Sequence, residues 1–186
     1  YPWNTFDTKW KTALSTGNLP DLSTALPEHV VMMNQAGALA SLNDMVSEMG
    51  NPFVQKPLDT LTVDGNIIAV PFYAHARVLW MRTDILDKYG LAEPKTMDDL
   101  LKVATEITKR GEIYGMAVPM KKTDFYGTVY LYIFSKALGG NLITSDGQAD
   151  LTSKPMIDAI NYMVELYKKA SPQGSINYGD PETNDS

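Results

Sequence analysis

Short apolar runs alternate with amphipathic helical stretches along this chain, and that alternation restricts it to an α/β architecture. The helical stretches are legible from their stripes and their stops. Residues 5–16 put Phe6, Trp10 and the Ala13/Leu14 pair on one face and end at Gly17. Pro27 and Glu28 suit a helix start, with Gly37 at its end, and Ser41 is placed to cap a further short helix over 42–49. A helix over 83–89 stops at Gly90. Thr96-Met97-Asp98-Asp99 reads as a capping box with Asp in place of Glu, ahead of a stripe of Leu100, Ala104 and Ile107. Residues 125–138 form a helix halted by Gly139-Gly140. Ser153 opens a long one, with Met156, Ile160, Met163/Val164 and Tyr167 predicted on its buried face.

Between these lie the strand-like pieces. Asp64-Gly65 separates two apolar runs, 61–63 and 66–71, and supplies the positive φ angles of a two-residue hairpin. Residues 76–82 and 113–119 read as strands, with Trp80 expected in the core beside Val78. Residues 141–151 read as a second hairpin around Ser145-Asp146-Gly147, and 171–186 as a polar loop or disordered tail.

Composition narrows the function. With 22 acidic against 16 basic residues the net charge is −6, and the longest basic run is Lys121-Lys122, so nucleic acid is not an expected partner. Cysteine is absent, which excludes disulfides, thiolate nucleophiles and Cys-based zinc sites. Two histidines with no shared element offer no metal pair, and no cofactor is expected. No run approaches 18 apolar residues. Motifs for nucleophile elbows, zincins, phosphate loops and dinucleotide binding are missing, so the chain is not expected to be an enzyme.

Five segments, in order, resemble the extracellular solute-binding proteins of ABC importers, the family of maltose- and oligosaccharide-binding proteins. They are Ala13 to Leu22 (A-L-S-T-G-N-L-P-D-L), Gly37-Ala38-Leu39-Ala40-Ser41-Leu42, Val63 to Pro71 (V-D-G-N-I-I-A-V-P), Leu79 to Leu86 (L-W-M-R-T-D-I-L), and Pro94 to Leu100 (P-K-T-M-D-D-L). Asn66 and Met97 depart from the usual Lys and Trp. The resemblance implies a periplasmic-binding-protein-like fold: two α/β lobes, a hinge, and ligand in the cleft. It places residues 1–70 in part of the first lobe, 71–73 at the crossover and 74–170 in the second lobe. It also implies a fragment, incomplete at both ends.

The implied function is capture of a small solute, most simply a mono- or oligosaccharide, for a membrane permease, by a monomer outside the bacterial or archaeal cytoplasm. A non-sugar solute such as a polyamine or peptide, or a ligand-sensing role, uses the same fold. Sugar recognition wants flat rings against pyranose faces and planar polar groups against hydroxyls, and the chain has 10 Tyr, 5 Phe and 3 Trp. By resemblance, Glu28 and His29 sit where related binders grip sugar hydroxyls, although Glu28 equally suits a helix N-terminus. Asn4 and Asp7 match a second ligand stretch or serve as caps. Tyr73, His75 and Arg77 alternate after the hinge and share one face of an extended segment; they face ligand or solvent, or Tyr73 packs the hinge. Asp124, Phe125, Tyr126 and Tyr130 open the second-lobe helix, where the family stacks sugar on aromatics, while Tyr130 also reads as core.

Overall fold

The computed structural model describes residues 3–122, 125–179 and 183, apart from the side chains of residues 3, 4 and 7. The chain divides into two compact units, Tyr1–Leu79 and Trp80–Ser186.

In the first unit, α1 (Trp3–Thr16) lays Phe6 and Trp10, one turn apart, against Met33 of α2 (Pro27–Gln35). Leu14, Ala25, Ala38 and Leu39 pack around them. Two short helices follow, α3 (Asn43–Glu48) and α4 (Gln55–Asp59). Then β1 (Thr62–Val63) pairs antiparallel with β2 (Asn66–Ile67). The turn between them has φ of 49° at Asp64 and 78° at Gly65, the two positive values that the Asp-Gly signal demanded. Asn43 fastens this hairpin to α3. Its Oδ1 accepts from the Ile67 N–H at 2.8 Å and its Nδ2 donates to the Gly65 carbonyl at 3.1 Å. Val46, Leu58 and Ile68 are buried beneath.

The second unit contains α5 (Thr83–Tyr89), α6 (Met97–Lys109), α7 (Tyr126–Ala137) and α8 (Lys154–Ala170). Both α6 and α7 pack on α8. Their shared core is Ala104, Val118, Phe134, Ala159, Tyr162, Leu166 and Ala170. Side chains such as Leu166, with no exposed surface, each contribute roughly 1.5–3 kcal/mol of burial. The start of α6 is held twice. Thr96 Oγ1 accepts from the Asp99 N–H at 3.1 Å while Asp99 Oδ2 accepts from the Thr96 N–H at 3.1 Å, the reciprocal box. Tyr162 reaches over from α8, its hydroxyl donating to the Met97 carbonyl at 2.6 Å. A hairpin bridges Ile143 to Ala149, as the Asp146-Gly147 turn requires.

The structure corrects several expectations. Residues 76–82 and 113–119 join no named strand among the described residues, because a strand exists only through a neighbour's hydrogen bonds. The second of them, with its continuation to Lys121, has partners at the end of α8 and in the stretch after it: Met116 N–H donates to the Ala170 carbonyl, Met120 N–H to Ser175 and Lys121 N–H to Tyr178. Those bonds hold residues 171–179 as an ordered loop on the unit, with a 3-10 helix at Gln173–Asn177 and Ser175 buried. Trp80 is not core; it is 89% exposed. On α8 the buried face is rotated from the expected one. Met156, Ala159, Tyr162, Leu166 and Ala170 face inward, whereas Ile160 and Val164 are exposed. Ala159 and Ala170 lie in the core shared with α6 and α7, which sets the inward face of α8.

Candidate functional site

In the first unit, the extended segment after Ile68 carries a chain of exposed rings. Phe72 meets Tyr73 edge-on with centroids 5.4 Å apart, and Tyr73 meets His75 edge-on at 4.7 Å. Tyr73 and His75 are two residues apart, the spacing that would put them on one face of an extended segment, and their rings touch. Arg77, two residues further, is also exposed. Phe72, missed in the sequence reading, extends the cluster; its signal was an aromatic that no helical stripe explains. Edge-to-face geometry leaves ring faces available for a partner and holds their orientation.

His29 and Glu28 share the first turn of α2 but not an environment. Glu28 is exposed, placed to complement the helix N-terminus. His29 is buried. Its Nδ1 accepts from the Leu26 N–H at 3.1 Å, satisfying one otherwise orphaned donor, and its ring lies 5.1 Å from Phe6. Helix capping and core packing thus occupy at least part of this residue. The side chains of Asn4 and Asp7 lie outside the described residues, although both positions belong to α1.

In the second unit, Phe125 and Tyr126 form a tilted ring pair, centroids 4.4 Å apart and planes at 30°, at the start of α7. Phe125 is exposed and Tyr126 half-buried. Tyr130, a turn later, is half-buried and packs its edge on Phe134, which in turn meets Tyr162. Tyr130 therefore joins the aromatic ladder of the core. Asp124 lies outside the described residues. Among the described residues no group of His, Cys, Asp and Glu is arranged to hold a metal, and no helix is long and apolar enough to cross a membrane.

Exposed aromatics on extended and helix-start segments suit a small polar solute with apolar faces. A sequence profile described as bacterial extracellular solute-binding protein matches residues 1–186. The chain belongs to that family. Among the curated solute-binding proteins it resembles is the diacetylchitobiose binding protein DasA of Streptomyces coelicolor, 30% identical over 173 residues, covering 90% of this chain and 38% of that protein. A putative binding protein of Brucella abortus is 27% identical over 93% of this chain and 41% of its own length. This solute-binding chain therefore spans about two fifths of the length of the curated relatives it matches. In structure it superposes on a sugar transporter from Arthrobacter chlorophenolicus with bound laminaribiose, TM-score 0.87, 19% identical, over 100% of this chain and 48% of the other. That likeness establishes the two-lobe binding-protein fold, of which the present chain is a part.

Proposed function

We propose that the protein captures a small carbohydrate for an ABC importer. The observation that carries this reading is the exposed edge-to-face run Phe72–Tyr73–His75, a surface of rings interleaved with hydrogen-bonding tips. Sugars present apolar C–H faces and rows of hydroxyls, and such a surface satisfies both at low rotamer cost. Phe125–Tyr126 provides a second surface of the same kind on the other unit. Arg77, Glu28, Asp124, Asn4 and Asp7 are the polar groups assigned to the hydroxyls. Tyr130, half-buried, contributes the edge that the core leaves open, and His29, buried, supports the turn that presents Glu28. Relatives support the sugar class in their own names: a maltodextrin-binding protein of Bacillus subtilis, and a Thermotoga lettingae binding protein solved with α-D-tagatose, 27% identical with TM-score 0.78. The protein acts as a monomer outside the cytoplasm, in the periplasm or tethered to the cell surface, and passes its ligand to membrane permease subunits without turning it over.

Calorimetry against a panel of disaccharides, monosaccharides and sugar alcohols tests the proposal, with a polyamine and a short peptide as the competing classes. A sugar should bind. Tyr73→Ala, His75→Ala and Tyr126→Ala should each weaken it about tenfold, the equivalent of one contact of roughly 1–1.5 kcal/mol. Tyr73 and His75 are exposed, so their variants should keep the parent's melting temperature. Binding only of the polyamine or peptide, or product release from the sugar, would overturn the reading.

A further inference from the structure

Asp-Gly occurs twice in the chain, at 64–65 and at 146–147. Both pairs sit in exposed turns with a left-handed glycine, φ 78° at Gly65 and 80° at Gly147. The dipeptide carries a reaction of its own. The glycine nitrogen, with no β-carbon beside it, can attack the γ-carbon of the preceding carboxyl group. A C–N bond forms and water leaves, made of the carboxyl OH and the amide proton. Solvent water then opens the succinimide ring. Opening at the α-carbonyl leaves the backbone running through the side chain, an isoaspartate, with no net change in composition.

The two turns differ in whether the reacting groups are occupied. At 146–147 both are. The Thr144 hydroxyl donates to the Asp146 carboxylate, and the Gly147 N–H donates to the Thr144 carbonyl at 3.0 Å. The bond from Thr144 also holds the Asp146 carboxyl below the usual carboxylate range, away from the protonated form that closes the ring. At 64–65 neither is occupied: among the described residues no hydrogen bond reaches the Asp64 carboxylate or the Gly65 N–H. What fastens that turn lies beside the reacting groups, where Asn43 holds the Gly65 carbonyl at 3.1 Å and the Ile67 N–H at 2.8 Å. Its ladder is only the Thr62–Ile67 and Val63–Asn66 pairs, so it opens easily. Asp64 is also held at a left-handed φ of 49°, a conformation that an L-residue leaves readily. We propose that Asp64-Gly65 is a site of spontaneous isoaspartate formation, and that the extra backbone carbon it inserts into the two-residue turn releases the hairpin from Asn43.

This is independent of which solute the protein captures, and its test is made without ligand. The chain is aged in warm, mildly acidic buffer. Isoaspartate is read by enzymatic methyl transfer from labelled S-adenosylmethionine and located by peptide mapping. A second readout is the protease Asp-N, which cuts before aspartate but not before isoaspartate. Label should collect on the peptide that holds Asp64, with loss of the Asp-N cut at 64 and retention of the cut at 146. The Ile67 amide, which Asn43 holds, should exchange faster in the aged fraction while α8 is unchanged. In urea the two sites should age at similar rates, because the fold makes the difference between them. Thr144→Val, which removes the hydroxyl that occupies Asp146, should raise conversion at 146 severalfold and leave 64 as in the parent. Equal conversion at the two sites of the folded parent would overturn the proposal, as would conversion mainly at 146 or at neither. So would a preference for 64 that persists in urea, a Thr144→Val chain that ages like the parent, or an Ile67 amide that exchanges as before in the aged protein.

Discussion

Gly115→Ala is the smallest change that should break the second unit. A β-carbon built on Gly115 falls 2.0 Å from the Ala104 carbonyl oxygen and 2.5 Å from its Cα, and both obstacles are helix backbone. Relief to ordinary van der Waals contact requires α6 and the segment before Val118 to part by more than 1 Å at a point where Ala104 has almost no exposed surface. Overpacking of this kind costs about 1–3 kcal/mol. The shift also strains a bonded corner. The Gly115 N–H donates to Thr108 Oγ1 at 2.8 Å, and that hydroxyl is shared between the Ala104 carbonyl at 2.9 Å and the Ala170 carbonyl at 3.1 Å. Losing one such bond adds roughly 0.5–1.5 kcal/mol. The expected total is about 2–4 kcal/mol, which in a unit of roughly a hundred residues lowers Tm by at least ~8 °C. Gly127→Ala is the matched control. Its nearest neighbour is 3.4 Å away, ordinary contact, and its helical position gains up to about 1 kcal/mol from the swap. Circular dichroism melts and urea titrations of the two variants decide. Gly115→Ala within 0.5 kcal/mol of the parent would mean that the close approach to Ala104 is not a constraint on the fold.

Burial, with the charge of Asp98 adding to it, pushes the Tyr162 hydroxyl up to about 12. Between pH 10 and 12 the unfolded chain releases this proton while the folded one keeps it, so the contribution is complete below pH 10 and is lost as pH rises toward 12. Urea midpoints from pH 9 to 12 should show the decline, and Tyr162→Phe should flatten it. Thr96→Ala should cost about 1 kcal/mol and speed amide exchange in the first turn of α6, whereas Thr96→Ser should not. Its hydrogen bond to Thr96 holds the Asp99 carboxyl below the usual range, so the cap's contribution is present at neutral pH and is lost as pH falls through that lowered value. The parent should therefore lose α6 protection in acid more steeply than Thr96→Ala.

What the sequence made legible was whatever a few neighbouring residues decide among themselves. The Thr96–Asp99 box, the Asp64-Gly65 turn and the Gly90 stop, where φ is 67°, are each closed by atoms within four residues, so the residue types sufficed. The α8 face was misplaced because its apolar residues cover far more than half the helix circumference. Only α6 and α7, from 45 and 17 residues earlier at their nearest ends, determine which part of that arc is inside. Tyr73 and His75 could be put on one side of an extended segment from their spacing alone, and their rings do touch. Tyr126 and Tyr130, a turn apart on α7, look alike in sequence and part company in three dimensions, since only the second has Phe134 and, through it, Tyr162 beside it. His29 shows the same limit from the other direction: a polar type that reads as a ligand group is enclosed because Phe6, 23 positions away, lies on it. Trp80 is the sharpest case. Its neighbours Val78, Leu79 and Met81 say that this stretch must be covered, and they say it on both faces, yet an apolar pattern records the need for a partner without naming one. Among the described residues that need is unmet at Trp80, so a run that reads as securely buried is among the most exposed.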